Sequence, residues 1–131
     1  MNSTELLNIL EENGLSEIEE LRNKEDHILV KFYFDFDDAV LKAAKAYSNE
    51  ESDYEPESKQ WLSEYFIPYL YDYANDAVLE IVEEIVEELD VAGEIMAFQM
   101  DAKNSNFVQF MALFTEQENT LTIEEAVKDF I

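Results

Sequence analysis

The sequence predicts an α+β domain, in which a small three-stranded, mainly antiparallel sheet packs against about five or six helices. Three observations predict this class. The segment 28–36 alternates apolar and polar side chains as a strand does, whereas 56–90 repeats its apolar residues at helical spacing. Two further apolar runs, 95–100 and 107–114, flank a polar stretch, which is typical of a β-hairpin.

The composition favours one folded domain over residues 1–131. Of these residues 47% are hydrophobic and 13% are aromatic, whereas disordered chains are depleted in both classes. With two Gly and two Pro, the chain leaves little room for flexible linkers. We expect an N-terminal helical pair over 1–24 and an α/β core over 27–131.

The first 24 residues predict two short helices. Asn2 and Glu5 have the spacing of a capping box, and Gly14 is typical of the residue that ends a helix. Ser16 and Glu19 repeat the cap spacing, so a second helix is predicted to end near residue 23. Glutamates occupy this second helix, which argues against a DNA-reading helix-turn-helix.

The strand over 28–36 is the clearest one, because aromatic and β-branched residues dominate it. Asp37 or Asp38 is then expected to cap a helix whose apolar stripe includes Tyr47. The acidic stretch 48–57 predicts a loop, with Pro56 as the first residue of the next helix.

The segment 56–90 predicts helix throughout. Pro68 cannot donate a hydrogen bond to residue 64, so the helix is expected to kink or restart there. Gly93 is the expected stop. After the hairpin, Thr122 and Glu125 form a capping box that predicts a last helix.

The net charge limits the class of partner. The chain has 32 acidic and 8 basic side chains, a formal charge of -24. Between Lys59 and Lys103 no side chain is basic, yet eleven are carboxylates. Such a field repels nucleic acid and anionic lipid and attracts basic protein surfaces. We therefore expect a basic protein partner, and neither nucleic acid nor membrane.

The sequence also bears on the compartment. It contains no Cys, which excludes disulfides and thiolate chemistry. The N-terminus lacks the basic and apolar regions of a secretory signal, and no window of 18 residues is apolar enough to span a bilayer. The predicted location is cytoplasmic.

An acidic stripe is predicted on the long helix, because five glutamates recur at spacings of three and four residues: Glu80, Glu83, Glu84, Glu87 and Glu88. Like charges four residues apart repel by about 0.2–0.5 kcal/mol per pair in an isolated helix. Surfaces adapted only for solubility usually intersperse both signs of charge. The stripe therefore predicts a docking face for a basic protein; a solvated acidic face is the alternative.

Three tyrosines align on one face earlier in the same segment: Tyr65, Tyr69 and Tyr73. Tyrosine beside carboxylates can bind Lys or Arg through combined cation–π and ionic contacts, and it is enriched among residues that dominate binding energy. We include these residues in the predicted partner-binding site. The alternative is that their rings pack against the sheet.

An enzyme alternative rests on Asp35 and Asp37, which follow the strand as Asp-x-Asp. This arrangement resembles the first motif of haloacid-dehalogenase-type phosphatases. The resemblance implies a nucleophilic Asp35, a general acid/base Asp37 and a bound Mg²⁺. It covers about ten residues, and the later motifs of that family are missing. A strand end followed by a helix cap explains the same two residues.

No other motif predicts catalysis or a metal. The stretch 48–57 has no Gly for a calcium loop, and the helical glutamates lack the Glu-x-x-His pairs of di-metal bundles. The sole histidine, His27, has no nucleophile near it in sequence. We therefore expect no cofactor, no metal site and no catalytic residue.

These observations together predict a non-catalytic acidic binding or regulatory protein of the inhibitor, immunity or nucleic-acid-mimic type. Two alternatives stay open. One is a Mg²⁺-dependent phosphatase-like enzyme centred on Asp35 and Asp37. The other is a structural module in which the apolar helix face and the hairpin edge build a homodimer.

Overall fold

A four-stranded antiparallel sheet with the strand order β1-β2-β4-β3 organises the fold. The computed structural model describes residues 1–100 and 104–131. The α+β class is confirmed, but the sheet has one strand more than predicted. In chain order the elements are α1 (Ser3–Glu12), β1 (Ser16–Asn23), β2 (His27–Asp35), α2 (Asp38–Glu51), α3 (Lys59–Trp61), a π-helical turn (Leu62–Phe66), α4 (Ile67–Leu89), β3 (Ala92–Ala97), β4 (Phe107–Thr115) and α5 (Ile123–Val127).

The long helix continues through Pro68. Because α3, the π-helical turn and α4 follow one another without a gap, the described residues form four separate helices rather than five or six. In the π-helical turn the N–H of Ile67 donates to the carbonyl of Leu62, five residues back. Pro68 follows in the first turn of α4. The expected kink or restart therefore takes the form of one widened turn.

The predicted second helix over 16–23 is wrong, because this segment forms the edge strand β1, which pairs with β2. Residues three apart lie on opposite faces of a strand. Accordingly, Ile18 packs against the larger hydrophobic cluster and Leu21 against the smaller one on the other side of the sheet. Ser16 donates its hydroxyl hydrogen bond to Asp35 instead of capping a helix. Residues 1–24 are thus a helix and a strand that belongs to the sheet.

Other element boundaries shift by a few residues. The predicted loop over 48–57 is shorter, since α2 continues to Glu51. The next helix starts after Ser58, whose hydroxyl accepts from the N–H of Trp61, and not at Pro56. The caps at Asn2 and Asp37 are confirmed, as is the capping box at the start of α5.

The two faces of the sheet carry separate hydrophobic clusters. The larger cluster lies between one face and helices α1, α2 and α4, and its largest fully buried side chains are Trp61, Phe32, Phe110 and Phe114. The smaller cluster lies on the opposite face and consists of Leu29, Met111, Leu113, Ile123, Ala126 and Val127. The alternation predicted for β2 is confirmed, because Val30 and Phe32 join the larger cluster and Leu29 the smaller.

Gly93 lies in β3, where the sheet approaches α4 closely, and it does not end the long helix as predicted. That helix ends at Leu89, with Asp90 in the left-handed region at φ 54°. A Cβ atom at residue 93 would lie 2.8 Å from Cγ1 of Val82 and 3.1 Å from Cγ2 of Val86. Only glycine therefore lets this strand pack against α4 without displacement of core side chains.

Gly93→Ala is expected to lower the free energy of unfolding by about 1–3 kcal/mol, because the added methyl overpacks the contact with α4. Urea denaturation followed by circular dichroism measures the loss. The double variant Gly93→Ala/Val82→Ala serves as the control, because removing the Val82 methyl groups makes room for the new Cβ. The double variant is expected to lose less unfolding free energy than the sum of the losses of the two single variants, by at least about 0.5 kcal/mol. Strict additivity would contradict the predicted clash.

Candidate partner-binding surface

The acidic stripe (Glu80, Glu83, Glu84, Glu87 and Glu88) is exposed along α4 in the structure. The opposite face of the helix is buried in the larger cluster, where its buried residues are Leu70, Ala74, Val78, Ile81, Val82 and Ile85. This division follows from the 3.6-residue period, which sends the branched apolar residues to one face and the glutamates to the other. The structure thus brings all five predicted glutamates together on one helix face.

Two further carboxylates, Asp72 and Asp76, extend the stripe toward the start of α4. Both are exposed, and steps of four residues lead from Asp72 through Asp76 and Glu80 to Glu88. With a rise of about 1.5 Å per residue, this row is about 24 Å long. These two aspartates were not among the predicted site residues, although their four-residue spacing indicates the same helix face.

Basic side chains do not neutralise the stripe among the described residues. The ion pairs there, Arg22–Asp129, His27–Asp26 and Lys31–Glu19, all involve β1, the β1–β2 turn, β2 or the C-terminal segment. The last turn of α4 contains no basic residue, so Glu87 and Glu88 also face the negative end of the helix dipole. The stripe therefore opposes the stability of its own helix.

The three predicted tyrosines line an open cavity of about 380 Å³. Tyr65 comes from the π-helical turn, Tyr69 and Tyr73 come from α4, and Tyr47 of α2 contributes the opposite wall. We call this the tyrosine cavity; among the described residues its lining is Tyr47, Glu64, Tyr65, Pro68, Tyr69, Asp72, Tyr73 and Asp76. Because Asp72 and Asp76 belong both to this lining and to the row of carboxylates, cavity and stripe form one continuous surface.

The rings of the cavity are tilted against one another. The centroids of Tyr47 and Tyr69 are 5.2 Å apart at an interplanar angle of 35°, and those of Tyr47 and Tyr65 are 6.4 Å apart at 49°. By comparison, the buried rings of Trp61 and Phe66 stack at 15°. The tilted tyrosine rings line the open space between α2 and the segment formed by the π-helical turn and α4.

Exposure distinguishes the cavity from an ordinary core cluster. Tyr47 and Tyr73 are 42% and 44% exposed, whereas Tyr65 and Tyr69 are half-buried. Tyr73 also contacts the core through Phe34, with ring centroids 6.1 Å apart. The rings thus pack partly against the fold and partly face solvent.

Glu64, which lines the cavity, also interacts with the hydroxyl of the neighbouring Tyr54. Hydrogen bonding to the Glu64 carboxylate, and the negative charge of that carboxylate, raise the pKa of Tyr54 above its usual value. The Tyr54 ring also lies 6.4 Å from that of Tyr65, centroid to centroid. The carboxylate therefore keeps this phenol protonated to higher pH, and the Tyr54 ring is an additional aromatic group next to the cavity.

The residues of the phosphatase alternative take part in local structure. The exposed Asp35 carboxylate, at the end of β2, accepts the hydroxyl hydrogen bond of Ser16. The Asp37 carboxylate accepts from the N–H of Val40 at the start of α2, at 2.9 Å. In the part of the chain that the structure describes, no group of three or more His, Asp or Glu side chains is placed to hold a metal ion.

His27 lies at the start of β2 with its side chain 12% exposed. Its Nδ1 is 2.9 Å from a carboxylate oxygen of Asp26, and this hydrogen bond lowers the pKa of Asp26. Its Nε2 is buried without a hydrogen-bond partner among the described residues. The histidine lies on the sheet, apart from both the stripe and the tyrosine cavity.

None of the helices over residues 1–100 and 104–131 is long and apolar enough to cross a membrane. No protein-family model matches this chain, and comparisons with curated proteins and with solved structures give no match.

Proposed function

We propose that this protein is a non-catalytic acidic binding protein that docks a basic protein partner through the acidic stripe and the tyrosine cavity. The observation that carries the proposal is the continuity of the two features on α4, with seven exposed carboxylates and no basic side chain between residues 67 and 89. An inhibitor, an immunity protein against a cationic toxin and a nucleic-acid mimic are the partner relationships that suit such a surface.

The electrostatic repulsion within the stripe supports this proposal. Three pairs of like charges four residues apart (Glu80/Glu84, Glu83/Glu87 and Glu84/Glu88) lie in the stripe. Together they oppose the helix by on the order of 1 kcal/mol. A binding role accounts for such a stripe, because complementary charges accelerate encounter with a partner and disfavour partners of the wrong sign.

The electrostatic field also selects the class of partner. A formal charge of -24 repels nucleic acid and anionic membranes. Exposed tyrosines add an anchor of the type found at the centre of protein interfaces. A reducing compartment such as the cytoplasm suits a chain without cysteine, and we propose that the partner is met there.

The test is affinity capture from an extract of cells that naturally express the protein. Wild type and the variant Glu83→Gln/Glu84→Gln/Glu87→Gln/Glu88→Gln are immobilised side by side and eluted with a salt gradient. We expect the wild-type column to retain a discrete basic protein that the variant loses. Equal retention by both columns, or a smear of unrelated basic proteins at low salt, would contradict the proposal.

A further inference from the structure

The tyrosine cavity combines aromatic walls with negative charge. Four tyrosines line it together with the carboxylates of Glu64, Asp72 and Asp76, and none of the lining residues in the described part of the chain is basic. The rings from the two helices are inclined at 35–49° to each other. The described part of the chain therefore contributes π faces and anionic groups to this space, but no cation to balance them.

Charge complementarity selects the chemical class of the occupant. An anion would be repelled by the three carboxylates. A purely apolar group would desolvate these carboxylates without a compensating hydrogen bond. A cation meets both components of the lining, because aromatic faces attract it through their quadrupole and the carboxylates accept its hydrogen bonds.

The volume and the open shape of the cavity favour a single side chain of the partner as its occupant. The cavity of about 380 Å³ lies near the lower end of the range of ligand pockets, about 300–1,000 Å³. It is open, with Tyr47 and Tyr73 more than two-fifths exposed. A long side chain can therefore enter it while the rest of the partner stays outside.

We propose that the tyrosine cavity receives one arginine side chain of the basic partner. A guanidinium is planar and stacks on aromatic faces, and its fork of donors suits carboxylates, whereas a lysine ammonium is more strongly hydrated and lacks this planarity. With the arginine seated, the adjoining basic surface of the partner lies along the row from Asp76 to Glu88. This inference rests on the proposed function and adds the side chain that anchors the partner.

The probes are three acetylated and amidated pentapeptides, Gly-Ser-X-Ser-Gly, in which X is arginine, lysine or citrulline. Each is titrated into the full-length protein, and NMR shifts of the tyrosine ring resonances report binding. We expect the arginine peptide to bind at least about threefold tighter than the lysine peptide. The neutral citrulline peptide is expected to show no saturable binding. Equal affinity for the arginine and lysine peptides would overturn the proposal.

Variants locate the binding. Tyr47→Leu and Tyr73→Leu replace exposed rings by apolar side chains, and each is expected to weaken arginine-peptide binding about two- to tenfold. Tyr33→Leu is the matched control, because Tyr33 lies on β2 and stacks on Phe107, outside the lining of the cavity. Circular dichroism verifies the fold of each variant. A loss with Tyr33→Leu equal to that of the cavity variants would also overturn the proposal.

Failure of this inference differs from failure of the proposed function. One possible result is that capture of the partner still depends on the four glutamates, but the protein does not prefer the arginine peptide. This result would reject the cavity as an arginine site and leave the proposed docking role intact. The opposite result is that the arginine peptide binds saturably at the tyrosines, but the glutamate substitutions do not change capture of the partner. This result would support the cavity as an arginine site and reject the stripe as the docking face.

Discussion

Neutralising Glu83, Glu84, Glu87 and Glu88 to glutamine is expected to slow association with the basic partner by about 10- to 100-fold at low ionic strength. Electrostatic steering raises association rates by about 10- to 1,000-fold over uncharged encounters, and these four residues are the densest part of the stripe. Stopped-flow or surface-binding kinetics with the captured partner measure the rate. Dissociation is expected to change less, because exposed charges act mainly on encounter.

Salt provides a second measurement of the same effect. At about 1 M ionic strength the Debye length falls to about 3 Å, so the wild-type protein and the variant should associate at similar rates. The variant should also unfold at the same or a higher temperature than wild type, since it removes repulsion along α4 and negative charge near the end of the helix. Slower binding without loss of stability separates a contribution to docking from damage to the fold.

A matched control removes the same charge from other places. Glu11, Glu20, Glu25 and Glu124 are exposed on α1, β1, the β1–β2 turn and α5. Changing these four to glutamine leaves the same net charge as changing the four in the stripe. Association that slows equally in both variants would show that net charge alone steers the partner, and the acidic stripe would not be the docking face.

Phe110→Ala is expected to lower the free energy of unfolding by about 3–5 kcal/mol. The ring is fully buried on β4, one of the two central strands, and stacks on Phe32 of β2 with centroids 5.8 Å apart. Its removal leaves a cavity between the sheet and the helices. Because domains of this kind are stable by about 5–15 kcal/mol, a large fraction of the stability should be lost in urea denaturation.

Phe107→Ala is the matched control on the same strand. Residues 107 and 110 lie on opposite faces of β4, and the half-buried Phe107 stacks on Tyr33 with centroids 4.6 Å apart. Its loss should cost about 1–2 kcal/mol, the value of a partly buried aromatic pair. Equal losses for the two variants would contradict the assignment of the larger core to the face covered by α1, α2 and α4.

Patterns that repeat over a few residues were predicted well. The alternation in β2 and the caps at Asn2, Asp37 and Thr122 agree with the structure. The amphipathic helix predicted over 56–90 agrees in its greater part, since α3, the π-helical turn and α4 run from Lys59 to Leu89. Each depends on residues within one or two turns of one another. Local spacing was also misleading at 16–23. Ser16 and Glu19 have the spacing of a helix cap, but the backbone of this segment pairs with β2.

The candidate site was predictable in part. The helical period alone predicts that the five glutamates share one face and that the three tyrosines share one face. Asp72 and Asp76 follow the same period and were overlooked. Tyr47 could not be assigned to the site from sequence, because it belongs to α2 and reaches the cavity only through the packing of that helix beside the π-helical turn and α4.

The amino-acid sequence by itself determined the α+β class, the charge and the two faces of the long helix, since these depend on composition and on short-range periodicity. Tertiary structure decided the strand identity of 16–23, the need for glycine at 93 and the assembly of the tyrosine cavity. Each of these depends on contacts between segments that are distant in the chain, and no local pattern specifies which distant surface a residue will meet.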